Sequence, residues 1–268
     1  MTHGEPAVEA GRPLAVVTGA TAGIGKVFCQ RLAARGYDLI IAARDAARLE
    51  QLRAELEREH GISVEVFPAD LTIDTDVSLL AERLTRSPGL SLLVNNAGFG
   101  TRGVLADASP ALQEAMLRLH VVAPLRLSQA ALPVLLRNGR GAIVNVSSVA
   151  SFIYSAGNVN YCATKAYLTT FSEGLAAELT GTGVQVQALC PGFTRSEFHQ
   201  RSNIDVSHLP RWMWLSADSV VDASLRALDR GGPVVCVPGL RYKLIVFLLR
   251  FTPRRVLRRI TELRPEHV

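Results

Sequence analysis

The stretch Thr18-Gly19-Ala20-Thr21-Ala22-Gly23-Ile24-Gly25 decides the fold, because it joins a short apolar run to an amphipathic segment through three glycines. The preceding run Leu14–Thr18 has the composition of a buried strand, and Val27, Phe28 and Leu32 fall on one helical face. Glycine permits a tight turn and lets backbone N–H groups approach a pyrophosphate at the helix N-terminus. The turn predicts a dinucleotide site, although its GxxxGxG spacing alone is explained equally well by a purely structural turn.

Six further short runs of similar composition follow and alternate with stretches long enough for helices. The runs are Leu39–Ala43, Ser63–Phe67, Ser91–Asn95, Ala142–Ser147, Val184–Leu189 and Val234–Val237. Helical stretches such as Ala46–Glu59 and Asn158–Thr180 predict parallel strands with crossovers on both faces. We therefore predict a single-domain, three-layer α/β/α Rossmann fold with a doubly wound parallel sheet of about seven strands. No apolar stretch comes near the ~20 residues that a membrane span needs.

The charge and cysteine patterns restrict the function further. Of the net charge of +5, residues 240–268 carry +6 and the remainder −1. Because residues 1–239 are nearly neutral, they would release few counterions on binding a nucleic acid, so we expect no nucleic-acid partner.

The first dozen residues lack the features of a signal peptide, which predicts a cytoplasmic protein. The four cysteines lie far apart and are predicted to be reduced, mostly buried thiols: Cys29, Cys162, Cys190 and Cys236.

The end of the second strand bears on the choice of cofactor. An acidic residue there would select NAD, whereas a cation favours the additional phosphate of NADP. This chain has Arg44, which favours NADP(H) over NAD(H); the alternative is a solvated loop arginine. Asp45 immediately precedes the predicted helix Ala46–Glu59 and is interpreted as its N-cap.

Tyr161 and Lys165 form the strongest chemical signal, because residues at i and i+4 share one face of a helix. A phenol with a pKa near 10 is a slow acid at neutral pH, and a neighbouring ammonium lowers that pKa. Ser148 stands thirteen residues before Tyr161, at the end of the fifth strand. The alternative is a surface tyrosine–lysine pair without a catalytic role.

Together these residues resemble the short-chain dehydrogenase/reductase family in its single-domain branch, over about residues 12–239. Thr18–Gly25 resembles the TGxxxGxG cofactor turn, Asn95-Asn96-Ala97-Gly98 the NNAG turn beside the adenosine half, and Asp70-Leu71 the pair at the adenine. The resemblance implies that Ser148 holds the substrate carbonyl, Tyr161 moves the proton, and Lys165 binds the nicotinamide ribose. Pro191-Gly192-Phe193-Thr194 resembles the motif after strand six, with Thr194 near the nicotinamide amide. The cofactor set it implies is Gly19, Thr21, Ala22, Gly23, Ile24, Gly25, Arg44, Asp70, Leu71, Asn96, Ala97, Gly98, Tyr161, Lys165, Pro191, Gly192 and Thr194.

His120 departs from the family pattern, which has an asparagine here that holds a water linking the lysine to solvent. A neutral imidazole can also hold a water and pass a proton, so His120 is a candidate fourth catalytic residue. The alternative is a packed helix histidine, and the sequence leaves both open.

The resemblance implies an oxidoreductase that moves a hydride between NADP(H) and a carbonyl, acting on an apolar or lipid-like ketone or aldehyde. The alternative function, which is not enzymatic, is that of an NADP(H)-binding sensor or scaffold. The resemblance also implies a homodimer or homotetramer, and we expect no metal site.

Two segments outside the nucleotide-binding half concern substrates and partners. Residues 193–216 are predicted to form a lid over an apolar substrate, since they hold both tryptophans of the chain; anchoring of the loop to the core is the alternative. His199 and His208 lie in this segment without metal-ligand spacing. Residues 1–12 are predicted to be disordered, and 240–268 form a basic amphipathic tail. The tail contacts either a membrane surface or another subunit.

Overall fold

The computed structural model describes residues 11–101, 103–195, 210–253 and 255–256. Its strands are β1 (Leu14–Thr18), β2 (Asp38–Ala43), β3 (Val64–Pro68), β4 (Leu90–Asn95), β5 (Gly141–Val146), β6 (Val184–Leu189), β7 (Thr194–Arg195), β8 (Leu215–Ser216) and β9 (Val235–Cys236). Seven of them form one parallel sheet in the order β3-β2-β1-β4-β5-β6-β9. The predicted seven-stranded parallel sheet is confirmed.

Helices cover both faces of the sheet. They are α1 (Gly23–Ala33), α2 (Ala46–His60), α3 (Asp74–Thr85), α4 (Pro110–Leu117), α5 (Ala123–Asn138), α6 (Val159–Glu178), α7 (Ala217–Asp229) and α8 (Leu240–Phe251). One apolar cluster joins the sheet to α1, α2, α7 and α8, and a second joins the opposite face to α3, α5 and α6. The predicted three-layer Rossmann fold is therefore confirmed.

Local signals in the sequence explain where α2 begins and ends. The Asp45 carboxylate accepts a hydrogen bond from the backbone N–H of Arg48 at 3.0 Å, as expected of an N-cap. Gly61 ends the helix in the left-handed conformation, with φ +61°. The interpretation of Asp45 as an N-cap is confirmed.

One helix in the described ranges is long and apolar enough to span a membrane, namely the continuous helix Pro110–Asn138. It consists of α4, a π-helical turn (Arg118–Val122) and α5. The prediction that no stretch approaches a membrane span was wrong by this measure. In the fold, α5 lies against the sheet and buries Leu127, Ala131 and Leu135 there, so this helix is part of one of the three layers.

Some predictions fall wholly or partly outside the described residues. Only Gly11 and Arg12 of the predicted disordered segment are described. In the predicted lid, residues 196–209 lie outside the description, with His199 and His208 among them. On either side of that gap, β7 and β8 pair as a two-stranded parallel ribbon.

Candidate active site

The strand order places a crevice beside β1. The chain proceeds outward from β1 to β2 and β3, and then returns to place β4 on the other side of β1. In open parallel sheets, ligands bind at the carboxyl ends of the strands where the order reverses in this way. The glycine turn follows β1, and Asn96-Ala97-Gly98 follows β4, so both predicted cofactor turns meet at this point.

Side-chain hydrogen bonds hold these two turns together. The Thr18 hydroxyl accepts from the backbone N–H groups of Asn96 and Ala97, at 2.9 and 3.0 Å. In return, the Asn96 amide donates to the carbonyls of Thr18 and Gly19, at 2.9 and 3.1 Å. The shape of the crevice is therefore fixed by protein atoms alone.

The glycines of the first turn are required by close backbone approach. Gly19 has φ +66°, and a Cβ there would lie 2.8 Å from the Asn96 amide nitrogen. A Cβ at Gly25 would collide with the carbonyl oxygen of Gly19. A cleft of ≈ 310 Å³ adjoins the turn and is lined by Thr21, Ala22, Gly23, Lys26, Arg48, Gln51, Leu52 and Glu55. A glycine turn that opens a helix beside such a cleft fits a dinucleotide, with its pyrophosphate at the helix N-terminus.

The side chains predicted to meet the adenosine half lie along the same edge. Arg44 is exposed just after β2, and within the described ranges its guanidinium has no ion-pair partner. Asp70 follows β3 and accepts hydrogen bonds from the Thr72 N–H and hydroxyl, at 3.0 and 2.8 Å. Leu71 is buried beside it. Arg44 is thus available to an anionic ligand.

The predicted catalytic side chains come together at the carboxyl end of β5. Tyr161 and Lys165 lie on α6, and the Lys165 ammonium is 5.7 Å from the centroid of the Tyr161 ring. The Tyr161 and Ser148 side chains are joined by a hydrogen bond. Lys165 donates to the carbonyl of Val146 at 2.8 Å, and its own carbonyl accepts from the Ser147 hydroxyl at 2.8 Å. These bonds attach α6 to the strand that precedes Ser148.

The pKa values of Tyr161 and Lys165 both differ from their ordinary values. Burial raises the pKa of Tyr161 to about 12, and the hydrogen bond from Ser148 lowers it only in part. Burial also lowers the pKa of Lys165 to about 8. The spacing of Tyr161 and Lys165 predicted a lowered tyrosine pKa, whereas burial of the phenol raises that pKa, and the Lys165 ammonium is directed at the Val146 carbonyl.

His120 is a buried, neutral link between the turn after β4 and helix α6. Its Nε2 accepts from the Phe99 N–H at 3.0 Å, and its Nδ1 lies 3.1 Å from the Thr164 hydroxyl, which donates to the Tyr161 carbonyl at 2.9 Å. Burial, together with the charge of Lys165, holds the imidazole pKa well below its ordinary value. Its ring also packs edge-on against the Tyr161 ring, with centroids 5.9 Å apart. Both ring nitrogens therefore have protein partners.

The motif after β6 is held by a residue far along the chain. The Tyr242 hydroxyl accepts from the Phe193 N–H at 3.1 Å and donates to the Met213 carbonyl at 2.6 Å. A side chain at Gly192 would collide with the Tyr242 ring. Thr194 is buried, and its hydroxyl donates to the Gly192 carbonyl at 3.0 Å.

Three supporting residues are missing from the predictions based on sequence. Thr18 holds the turn after β4, Thr164 holds His120, and Tyr242 holds the Pro191–Thr194 segment. Thr18 and Thr164 stand inside the motifs and could have been considered as hydroxyl partners. Tyr242 carries no such signal, because its contact spans 49 residues of sequence.

Comparison with known proteins agrees with this geometry. The family profile described as short chain dehydrogenase matches residues 13–207. The chain belongs to the short-chain dehydrogenase family. It is thus an oxidoreductase of a family that binds a nicotinamide cofactor, and the family resemblance seen in the sequence is confirmed.

Individual relatives of this short-chain dehydrogenase support the assignment. An uncharacterized oxidoreductase of Myxococcus xanthus is 32% identical over 225 residues, which cover 84% of this chain and 87% of the relative. The NADPH complex of a short-chain dehydrogenase from Sphingobium yanoikuyae has a TM-score of 0.81 and 35% identity, covering 96% and 98% of the two chains. A bulky-bulky ketone specific alcohol dehydrogenase from Comamonas testosteroni has a TM-score of 0.78 and 33% identity, covering 96% of each chain.

Proposed function

We propose that this short-chain dehydrogenase is an NADPH-dependent reductase of bulky, apolar ketones or aldehydes, which also catalyses the reverse oxidation of the alcohol. The observation that carries the proposal is the hydrogen-bonded pair Ser148–Tyr161, which lies one helical turn from Lys165 and is linked through His120 to the turn after β4. Bound NADPH would supply the hydride, so the protein has to bind, orient and protonate the substrate.

The proposed roles follow from the groups present. With a pKa of about 12, Tyr161 is protonated at neutral pH and can donate its proton to the carbonyl oxygen during reduction. The Ser148 hydroxyl would hold that oxygen beside the phenol. Lys165, largely protonated below its pKa of about 8, would bind the nicotinamide ribose and stabilise the phenolate left after proton transfer.

The remaining predicted residues would hold the cofactor along the edge of the sheet. The pyrophosphate would lie on the turn around Gly19 and the N-terminus of α1, with Thr21, Ala22, Gly23, Ile24 and Gly25. Asp70, Leu71, Asn96, Ala97 and Gly98 would contact the adenosine half. Pro191, Gly192 and Thr194 would contact the nicotinamide.

We assign His120 a positioning role. Its two hydrogen bonds hold the turn after β4 against α6, and its ring packs on the phenol that moves the proton. A relay water would need a free ring nitrogen, and both nitrogens already have protein partners. Histidine here would replace the water-holding function of the family asparagine with a rigid contact.

The preference for NADPH rests on Arg44, supported by the NADPH bound to the Sphingobium relative. A guanidinium–phosphate contact contributes about 1.5–3 kcal/mol. Arg44→Ser should therefore raise the KM for NADPH ten- to hundredfold and leave that for NADH nearly unchanged. Arg53→Ser, on the exposed face of α2 and paired with Glu50, is the matched control. Equal effects on both cofactors would contradict the assignment of Arg44 to the phosphate.

The substrate class is supported by the described part of the predicted lid. Trp214 packs near Phe193, with ring centroids 6.0 Å apart, and Trp212 is 59% exposed. The Comamonas relative is specific for bulky-bulky ketones. We expect turnover of ketones with two large substituents to exceed that of acetone-sized ketones in an assay of NADPH oxidation. Tight NADPH binding without turnover of any ketone, sterol, retinoid or acyl carbonyl would favour the non-catalytic sensor instead.

The proposed enzyme is cytoplasmic and homo-oligomeric. Exposed apolar side chains on the long helix Pro110–Asn138, including Leu112, Leu117 and Leu125, offer a surface for a second copy. Sedimentation velocity of the full chain tests this assembly, and a monomer at micromolar concentration would exclude it.

A further inference from the structure

Helix α8 leaves an apolar face uncovered. Its exposed apolar side chains are 56–83% accessible and follow the spacing i, i+4, i+7, i+8 and i+11, so they share one face: Leu240, Leu244, Phe247, Leu248 and Phe251. We call this set the α8 face. Single exposed apolar residues are common, but five on one face of a helix mark a contact surface.

The opposite side of α8 is firmly attached to the domain. Tyr242 and Val246 are buried in the core, and Tyr242 bonds to both Phe193 and Met213. The Arg250 guanidinium lies 5.3 Å from the centroid of the Phe152 ring. The α8 face therefore points away from the core.

The charge around the α8 face has one sign. Lys243 and Arg250 are exposed and border it on one side; Arg241 lies on the other side, where its guanidinium donates to the Trp214 carbonyl. Between Arg230 and Thr261 the sequence has eight Lys or Arg and no Asp or Glu. Long basic side chains at the edge of an apolar helix face can reach lipid phosphates while the face enters the acyl boundary.

This charge distribution separates two possible occupants. A symmetric contact between two α8 faces would bring two uncompensated basic clusters together, and that repulsion opposes the contact. A bilayer with anionic lipids offers apolar depth and opposite charge at once. We propose that the α8 face binds the surface of a membrane that carries anionic lipids, with the helix axis in the plane of the surface.

This orientation has a consequence for the active site. α8 rests on the segment after Ser148 through Phe152 and on the Pro191–Thr194 segment through Tyr242. Membrane binding would place the carboxyl edge of the sheet close to the surface. The binding itself does not depend on the proposed reductase activity, so either proposal can fail alone.

The test is sedimentation of the full chain with vesicles of phosphatidylcholine alone and with a third of the lipid replaced by phosphatidylglycerol. We expect binding to the anionic vesicles only, and release by high salt. Leu244→Ser/Phe247→Ser should weaken binding at least tenfold. The matched control is Leu79→Ser/Leu105→Ser, since both leucines are exposed to a similar extent and lie outside α8 and outside the long helix Pro110–Asn138.

A second variant tests the charges. Lys243→Gln/Arg255→Gln should weaken binding roughly thirtyfold, at about a factor of five per cation. Melting temperatures close to the parent's would show that all variants fold. Equal binding of the parent to both vesicle types, or equal binding of the parent and Leu244→Ser/Phe247→Ser, would overturn the proposal. So would self-association of the parent in solution that Leu244→Ser/Phe247→Ser abolishes, because the α8 face would then lie between two copies.

Discussion

The crevice between β1 and β4 and the α8 face show two ways of using a surface. In the crevice, hydroxyl, amide and backbone groups of Thr18, Asn96 and Gly19 satisfy one another across two turns. On the α8 face, Phe247 and its apolar neighbours are more than half exposed, and residues 240–261 contain no Asp or Glu to offset the nearby cations. The polar groups of the crevice are hydrogen-bonded to one another without a ligand, whereas the apolar side chains of the α8 face can be buried only against another molecule or a membrane.

This difference predicts how each region responds to substitution. A preformed polar site tolerates little change in shape, because each side chain also supports its neighbours. An exposed apolar face contributes little to folding, since its side chains stay in water in the free protein. Four substitutions, from the largest expected effect to the smallest, test the contrast.

Tyr161→Phe should lower kcat by about 10³-fold or more, because it removes the proton donor but retains the aromatic ring. NADPH binding, measured by calorimetry, should change little. The control is Tyr37→Phe, since Tyr37 lies just before β2 at the opposite edge of the sheet. Retained turnover in Tyr161→Phe would remove the phenol from the mechanism.

Gly25→Ala should cost about 3 kcal/mol of unfolding free energy or prevent folding, because the added Cβ collides with the Gly19 carbonyl. Any folded fraction should bind NADPH weakly. Gly174→Ala is the matched control: nothing lies within 4 Å of its added Cβ, and alanine should stabilise α6 by about 0.5–1 kcal/mol. Similar denaturation midpoints for the two variants would contradict the close approach at the cofactor turn.

His120→Asn should make stability less dependent on pH below neutrality. In the unfolded chain histidine gains a proton as the pH falls through about 6.5, whereas buried His120 stays neutral because its pKa is lowered. The unfolded state then binds more protons, so this group reduces stability as the pH falls from 7 to 5, by up to about 1.4 kcal/mol per pH unit.

Urea denaturation across this pH range measures the slope. Thr164→Val is the control, since it breaks the His120 hydrogen bond but keeps the imidazole, and should lower stability by about 1 kcal/mol at every pH. Unchanged slopes in His120→Asn would mean that the imidazole is not held neutral. In turnover, a positioning role predicts a lower kcat with an unchanged pH profile from 6 to 9.

Leu244→Ser/Phe247→Ser should change the unfolding free energy by less than about 0.5 kcal/mol per residue, because both side chains are 58% exposed. Turnover of a water-soluble ketone should also be unchanged. A loss of several kcal/mol in thermal or urea unfolding would show that the α8 face is covered within the free protein.

The sequence was most informative where chemistry and periodicity coincide. The glycine turn, the Tyr161–Lys165 spacing and the alternation of strands and helices predicted the fold and the grouping of Ser148, Tyr161 and Lys165. Predicted and observed strand ends differ by at most one residue, since propensity does not fix where pairing stops. The acidities could not be predicted, because they depend on burial: the spacing of Tyr161 and Lys165 implied a lowered tyrosine pKa, and desolvation raises it.

The role of His120 likewise depended on contacts that are distant in sequence. Its partners Phe99 and Thr164 lie 21 and 44 residues away, so the sequence left the relay and the packed histidine open. Within the sequence alone, nothing distinguishes a histidine with two satisfied nitrogens from one with a free nitrogen.

The contact between Tyr242 and Gly192 defines how much chain the fold requires. The Tyr242 ring fills the space beside Gly192, fifty residues earlier in the chain. Its hydroxyl accepts a hydrogen bond from the Phe193 N–H and donates one to the Met213 carbonyl. A shortened protein that stopped at the end of the sheet would expose the Phe193 N–H, the Met213 carbonyl and the cavity between them. A chain truncated after Cys236 should therefore be less stable than the full chain, because α8 supplies the side chain that fills this space and bonds to both backbone groups.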